Sequence, residues 1–343
     1  MIRYKKASDI RVGVVGYGGA FNMGKEHLSR AAEAGMTPAA VTDLDPARLN
    51  QAQTDFPSIA TFPTVHQMLK HADVDLIVII TPHSSHAKIA LQCLKHGKHV
   101  VCEKPLALTT AECDAMIQMA QKNDVMLSTY HNRHWDGCIM QAVKKIAGGG
   151  IGDVVRIEAW MGEWGQPLDW WRSSKSISGG ILYDWGVHLL EYMLQIVDSD
   201  ISEVSGFAHS GLWARTSIWK DDTNEDEATA IVRFSSGAML TLRISSIDAN
   251  PKPGWVEVTG TKGTYAFNWQ KWEMITPKRN SIIRTTGKNP QPDYDKYYAN
   301  IAGHLVNNET LIITPEWSRR PIHILDLAQR SVQAGKALKA KYR

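Results

Sequence analysis

Short apolar runs alternate with amphipathic stretches through the first part of the chain. Residues 10–15, 39–42, 76–80, 100–102 and 125–129 have strand character. Between them, 22–35, 47–53, 84–96 and 109–119 place apolar side chains at helical spacing. Strands alternating with helices predict a parallel, doubly wound sheet. Each apolar run stops on a polar or proline-bearing turn: Gly16-Tyr17-Gly18-Gly19, Asp43, Thr81-Pro82, Glu103-Lys104-Pro105 and Tyr130-His131-Asn132-Arg133. In open α/β sheets that edge is where ligands bind.

The pattern changes beyond Gly148-Gly149-Gly150. Residues 154–161, 204–208, 228–234, 239–245, 255–259 and 264–268 alternate with period two, with turns at Ser236-Gly237 and Lys262-Gly263. Several strands in succession predict a mostly antiparallel sheet with one face covered by helices. One helix, 179–191, interrupts the run, and an amphipathic helix, 321–338, closes the chain. The expected fold class is therefore an α/β chain: an N-terminal Rossmann doubly wound parallel sheet, then a C-terminal open-faced, mostly antiparallel sheet domain. The expected domains are 1–135 for dinucleotide binding and 136–343 for substrate and oligomerisation, with helix 321–338 a candidate to pack back towards the first.

The chain has 343 residues, 43% of them apolar and 21% charged, and a net charge of +3. This balance argues against nucleic acid or an anionic membrane as partner. Residues 1–10 contain no apolar core of a secretory signal, and the run 76–80 is far too short to span a bilayer. Cys93, Cys102, Cys113 and Cys138 lack zinc-type spacing, as do the pairs His83/His86 and His131/His134, so no metal is expected. A reduced, cytoplasmic protein follows. Twelve tryptophans are the outlier. Trp160, Trp164, Trp170, Trp171 and Trp185 fall close together and suit core packing or a wall for the C–H faces of a sugar.

Gly16 and Gly18 lie between a strand and a helix, the setting in which a dinucleotide fingerprint has meaning. The third glycine would fall at residue 21, which is Phe21, and the next is Gly24, so the turn reads as lengthened. Asp43 ends the second strand where a carboxylate would accept from ribose hydroxyls, and Leu44, Asp45 and Pro46 follow without an arginine. NAD is thus favoured over NADP. Asp43 could instead cap the next helix, as could Asp45. Lys104, delivered by a buried strand, could hold a hydroxyl and stabilise charge growing on its oxygen. Asp184 and His188, four apart, share a helix face, and histidine exchanges protons readily near neutral pH.

Together, Gly97-Lys98-His99-Val100-Val101-Cys102-Glu103-Lys104-Pro105 and Gly179-Gly180-Ile181-Leu182-Tyr183-Asp184-Trp185-Gly186-Val187-His188 resemble the glucose–fructose oxidoreductase/inositol dehydrogenase/MocA (GFO/IDH/MocA) family. Thr81-Pro82 and His86 precede the first motif, and Trp171-Arg172 the second. The resemblance implies Lys104, Asp184 and His188 as catalytic residues. It implies Gly16, Gly18, Asp43, Thr81, Pro82, His86, Glu103 and Lys104 at the cofactor. Arg133, Trp171 and Arg172, with the three catalytic residues, would line the substrate pocket. It further implies NAD-dependent oxidation of a sugar, inositol or related polyol by a homodimer or homotetramer. The alternatives are an enzyme that retains NAD, as a redox-assisted glycosidase or sugar oxidoreductase, and a non-enzymatic dinucleotide sensor.

Overall fold

The computed structural model describes residues 4–19, 21–252 and 255–342. The chain divides into two compact units, one of residues 1–131 and 295–319, the other of 132–294 and 320–343. The sequence-based division at 135/136 places 132–135 with the first domain and 295–319 with the second, the reverse of these units.

In the first unit the elements run β1 (Arg11–Val15), α1 (Met23–Glu33), β2 (Thr37–Thr42), α2 (Pro46–Asp55), β3 (Ala60–Phe62), α3 (Val65–His71) and β4 (Leu76–Ile79). They continue with α4 (His86–Lys95), β5 (His99–Cys102), α5 (Thr110–Lys122) and β6 (Leu127–Thr129). The strands are all parallel, in the order β3-β2-β1-β4-β5-β6. β4 and β5 are buried at every residue, as a sheet covered on both faces requires. The predicted parallel, doubly wound sheet is present. Its order reverses between β1 and β4, and a crevice at such a switch point is where dinucleotides bind. Register aligns Val15 with Thr42 and Ile79, Ile79 with Cys102, and Cys102 with Thr129. The polar residues that follow each strand therefore emerge side by side.

The second unit holds α6 (Gly137–Ala147), β7 (Val154–Gly162), α7 (Lys175–Ser178), α8 (Trp185–Ile196), β8 (Ile201–His209), β9 (Glu227–Phe234) and β10 (Met239–Ser245). After these come β11 (Val256–Gly260), β12 (Gly263–Phe267), β13 (Lys271–Lys278), β14 (Ser281–Lys288) and, near the carboxyl end, β15 (Leu338–Lys339). Among the described residues they form a nine-stranded sheet, β14-β13-β12-β11-β7-β10-β9-β8-β15. Only the β7–β10 pairing within it is parallel, so the expected mostly antiparallel sheet is found. α8 is buried on nearly every residue from Gly186 to Leu194 and lies against β10 and β7.

Several elements depart from expectation. The helix read at 179–191 starts only at Trp185, because Gly179 and Gly180 adopt φ of 94° and 110°, which an α-helix excludes. Asp184 is thus the residue before the helix, and His188 lies in its first turn. The helix expected from Pro321 begins at Pro315, where Thr314 accepts from the Trp317 N–H, and Pro321 lies inside it. Both prolines satisfy the first-position rule, and only the threonine cap separates them. β14 escapes the apolar pattern because it is the edge strand, exposed along nearly its whole length, and β13 beside it is only partly buried.

Candidate active site

At the end of β1 the chain turns sharply. Gly16 has a φ of 85°, and a Cβ there would lie 2.5 Å from the Ile80 carbonyl oxygen, so the loops after β1 and β4 touch only because residue 16 has no side chain. Gly18 is likewise left-handed, with φ of 76°. Gly24, in the first turn of α1, is pressed on the loop: a Cβ would meet the Tyr17 carbonyl oxygen at 2.5 Å and its Cα at 2.8 Å, and the Gly24 N–H donates to that oxygen at 3.2 Å. Gly24 therefore does what the third fingerprint glycine does, close helix–strand packing, three residues later than the usual spacing. The Asn22 side chain at the amino end of α1 makes no capping hydrogen bond, which leaves the helix dipole facing the turn.

Asp43 is tied into this loop. Its carboxylate accepts the Tyr17 N–H at 2.7 Å and the Asp45 N–H at 2.9 Å. Asp45 is the residue that caps α2, accepting from Ala47, so Asp43 is not spent on the cap. A carboxylate offers about four acceptor positions, enough to serve these donors and a ribose hydroxyl as well. The glycine cradle, the uncapped helix end and this carboxylate fit an adenine dinucleotide. One group unforeseen in the sequence is Arg48, whose guanidinium lies over Gly19 and 3.8 Å from Asp45.

Thr81 and Pro82 follow β4 beside Gly16, with Thr81 Oγ1 accepting from Ser85 Oγ at 2.6 Å. His86 is fully buried, and its two ring nitrogens lie 2.8 Å from the carbonyl oxygens of Thr81 and Pro105. It acts as a brace between the β4 and β5 turns, and burial holds its pKa below the usual histidine value. Glu103 and Lys104 follow β5, and the Lys104–Pro105 peptide is cis. Burial pushes the Glu103 carboxyl up, but the His27 hydrogen bond and charge and the nearby Lys104 outweigh it and hold its pKa below the ordinary glutamate value. The first unit thus brings Gly16, Gly18, Asp43, Thr81, Pro82, Glu103 and Lys104 to one edge of one sheet.

The other site residues belong to the second unit. Asp184 is held by Arg172, whose Nη1 lies 2.6 Å from Oδ1. The Arg172 guanidinium in turn lies 5.4 Å from the Trp170 ring and 4.7 Å from Trp171. The segment carrying them is stitched to the loop before β9: Asn224 donates to the Arg172 carbonyl at 2.7 Å, Lys175 pairs with Glu225 at 2.7 Å, and Glu225 accepts the Ile181 N–H. His188 is buried, with the Trp185 ring 5.7 Å away. Arg133 lies 4.9 Å from the ring centres of both Trp185 and Trp269 and pairs with Asp136 at 3.1 Å. Asp136 also accepts from the Tyr192 hydroxyl. The tryptophans near in sequence disperse in space: Trp164 meets Trp213, Trp185 meets Trp255 and Trp269, and Trp160 lies under Lys252.

The oxidoreductase family with an NAD-binding Rossmann fold, GFO/IDH/MocA, matches residues 10–131, and the GFO/IDH/MocA C-terminal domain matches residues 139–266. The chain belongs to the GFO/IDH/MocA family. Its first unit is accordingly an NAD-binding Rossmann domain. The chain is similar to myo-inositol 2-dehydrogenase of Thermotoga maritima, 29% identical over 256 residues that make up 74% of each protein. It is 26% identical over 193 residues to scyllo-inositol 2-dehydrogenase (NADP(+)) of Bacillus subtilis; that match spans 56% of this chain and about half, 53%, of the relative. Levoglucosan dehydrogenase, solved in complex with NADH and levoglucosan, shares the fold with a TM-score of 0.82 at 21% identity, covering 97% of this chain and 99% of that one. Among the described residues, no helix is long and apolar enough to cross a membrane, and no group of three or more His, Cys, Asp or Glu is arranged to hold a metal ion.

Sequence reasoning named Gly24 as the next glycine of a lengthened turn but missed the Arg172–Asp184 pair and His27, whose ring contacts Glu103. His27 follows Gly24 by three on α1, so it shares that glycine's helix face. Nothing in the sequence connects it to residue 103.

Proposed function

We propose that this protein is an NAD-dependent dehydrogenase of inositols, sugars or related polyols, with Lys104, Asp184 and His188 handling the reacting hydroxyl. The observation that supports it most is the emergence of Lys104 from β5 at the sheet edge that carries the glycine turn and Asp43. Bound NAD would supply the hydride acceptor for the carbon being oxidised. Lys104 Nζ donates to the substrate oxygen and offsets the negative charge that grows on it as the O–H bond breaks. His188 takes the hydroxyl proton, the task to which imidazole is suited near neutral pH. Asp184, fixed by Arg172, orients the hydroxyl or the imidazole. The family resemblance assigns Arg133, Trp171 and Arg172 to substrate binding.

The Asp43 carboxylate would repel a 2′-phosphate, which favours NAD. The Arg48 guanidinium over Gly19 makes NADP the comparison to run. A panel of inositols and sugars with each cofactor, read by absorbance of the reduced nicotinamide, tests the reading. Lys104→Ala should cut turnover on the order of 10²–10³-fold, the usual cost of removing one such donor, while NAD still binds. Near-normal turnover of that variant ends this assignment. Glycoside cleavage with no net NADH would replace the dehydrogenase with the NAD-retaining reaction.

A further inference from the structure

His27 projects from the dinucleotide helix α1 into the interior of the first unit and is fully buried. Its Nε2 lies 3.0 Å from Glu103 Oε1 and its Nδ1 lies 2.6 Å from the Tyr298 hydroxyl. Tyr298 comes from the helix Asp295–Asn307, which belongs to the same unit. The Tyr130 ring, just after β6, packs 4.2 Å from the imidazole. The other oxygen of the Glu103 carboxylate accepts the Lys104 N–H at 2.9 Å. One hydrogen-bonded chain therefore runs Tyr298–His27–Glu103–Lys104, from a distant helix to the backbone of the lysine.

The chemistry of each member sets the direction of this chain. Glu103 is ionised and can only accept, so His27 Nε2 carries the proton. The opposite nitrogen is hydrogen-bonded to the Tyr298 hydroxyl, which burial keeps protonated by raising its pKa well above the ordinary tyrosine value. Tyr297 faces the same cluster and is uncharged at neutral pH, because burial raises its pKa well above the ordinary tyrosine value.

We propose that His27 is a positioning residue for Lys104, coupling the cofactor helix to the Glu103-Lys104-Pro105 turn through the Glu103 carboxylate. The inference rests on the reading that Lys104 holds the reacting oxygen. Gly24, which seats the helix on the glycine turn, precedes His27 by three residues on α1. Any shift of that helix is carried by the imidazole to the carboxylate that anchors the lysine. Positioning of this kind matters because a displacement of about 1 Å at a reacting group can cost on the order of 100-fold in rate.

The test uses the full chain and needs no substrate. Amide exchange is followed by mass spectrometry in the peptide spanning 99–108. Acylation of Lys104 by acetic anhydride is followed as a function of pH. In His27→Leu, which keeps apolar bulk but offers no hydrogen bond, Lys104 amide exchange should rise at least about tenfold, by loss of the partner that fixes its acceptor. Exchange in the β4 peptide should stay unchanged. The acylation profile should move to higher pH by about 0.5 unit, because the freed carboxylate can turn to the ammonium. His27→Gln, whose amide N–H can serve Glu103 and whose carbonyl can serve Tyr298, should restore both readouts. Exchange within twofold of the parent and an unshifted profile in His27→Leu would overturn the proposal, as would His27→Gln being disturbed as much as His27→Leu. If the leucine variant does not fold, Tyr298→Phe decides: about threefold faster exchange at Lys104 supports the linkage, and unchanged exchange overturns it. Turnover of Lys104→Ala separates the two claims. Normal turnover there with a disturbed lysine in His27→Leu refutes the role of the lysine alone; collapsed turnover with an undisturbed lysine refutes the role of His27 alone.

Discussion

Replacing Gly24 with alanine sets two effects against each other. Glycine inside a helix costs about 1 kcal/mol relative to alanine, so propensity alone predicts that the variant is more stable. The added methyl, however, would sit 2.5 Å from the Tyr17 carbonyl oxygen and 2.8 Å from its Cα. Both contacts are with backbone, which cannot rotate away as a side chain would. Ordinary contact demands a retreat on the order of 1 Å. That retreat weakens the 3.2 Å bond from the Gly24 N–H to Tyr17, worth about 1 kcal/mol, and overpacking of this kind costs a further 1–3 kcal/mol or so. The clash therefore wins, and the variant should lose about 1–3 kcal/mol and roughly 2–10 °C in Tm. The glycine turn moves with the helix, so NAD affinity, measured by calorimetry, should fall about tenfold, equivalent to about 1.4 kcal/mol. A variant that melts higher than the parent and binds NAD as tightly would refute the close-packing role given to Gly24.

Asp43→Ala should weaken NAD binding about 10–100-fold, since the carboxylate makes charge-assisted bonds and also fixes the Tyr17 N–H; an unchanged Kd would remove Asp43 from the site. Asp75 accepts Arg11 Nε at 2.8 Å, Nη2 at 3.0 Å and the Arg11 N–H at 2.9 Å; burial alone would raise its pKa, but these bonds and the Arg11 charge hold it below the usual aspartate value. A depressed native pKa means that the pair stabilises the fold above the unfolded value near pH 4 and that this contribution fades as pH falls through the lower native value. Asp75→Asn should therefore lose about 1 kcal/mol at neutral pH, a figure discounted because Arg11 is partly exposed, and less at pH 3; an equal loss at both would refute the ion pair as the cause. Burial pushes the Cys93 and Cys138 thiols up to about 12 and Cys102 well above its ordinary value, and all four cysteines are buried. Ellman's reagent at pH 8 should react with none in the native protein and with all four in denaturant; rapid native reaction would contradict this burial.

Much of this protein was legible in its order of residues, for local physical reasons. Uninterrupted apolar runs as short as Leu76–Ile79, bounded by turn residues, favour buried strands, and parallel strands put the residues that follow them on one edge. That is why Gly16, Asp43, Thr81 and Lys104 could be named as neighbours before any coordinates. Glycines and helix caps are local as well, yet rivals at short range needed the fold to choose between them. Asp45, not Asp43, caps α2, and Pro315, not Pro321, opens its helix, because hydrogen bonds donated by the Ala47 and Trp317 N–H groups favour one candidate over the other. Tertiary structure alone decided the pairings between distant segments. Arg172 reaches Asp184 across a short helix and a double-glycine turn, and His27 reaches Glu103 and Tyr298 across 76 and 271 residues. Such contacts arise from packing, not periodicity, so no spacing along the chain encodes them.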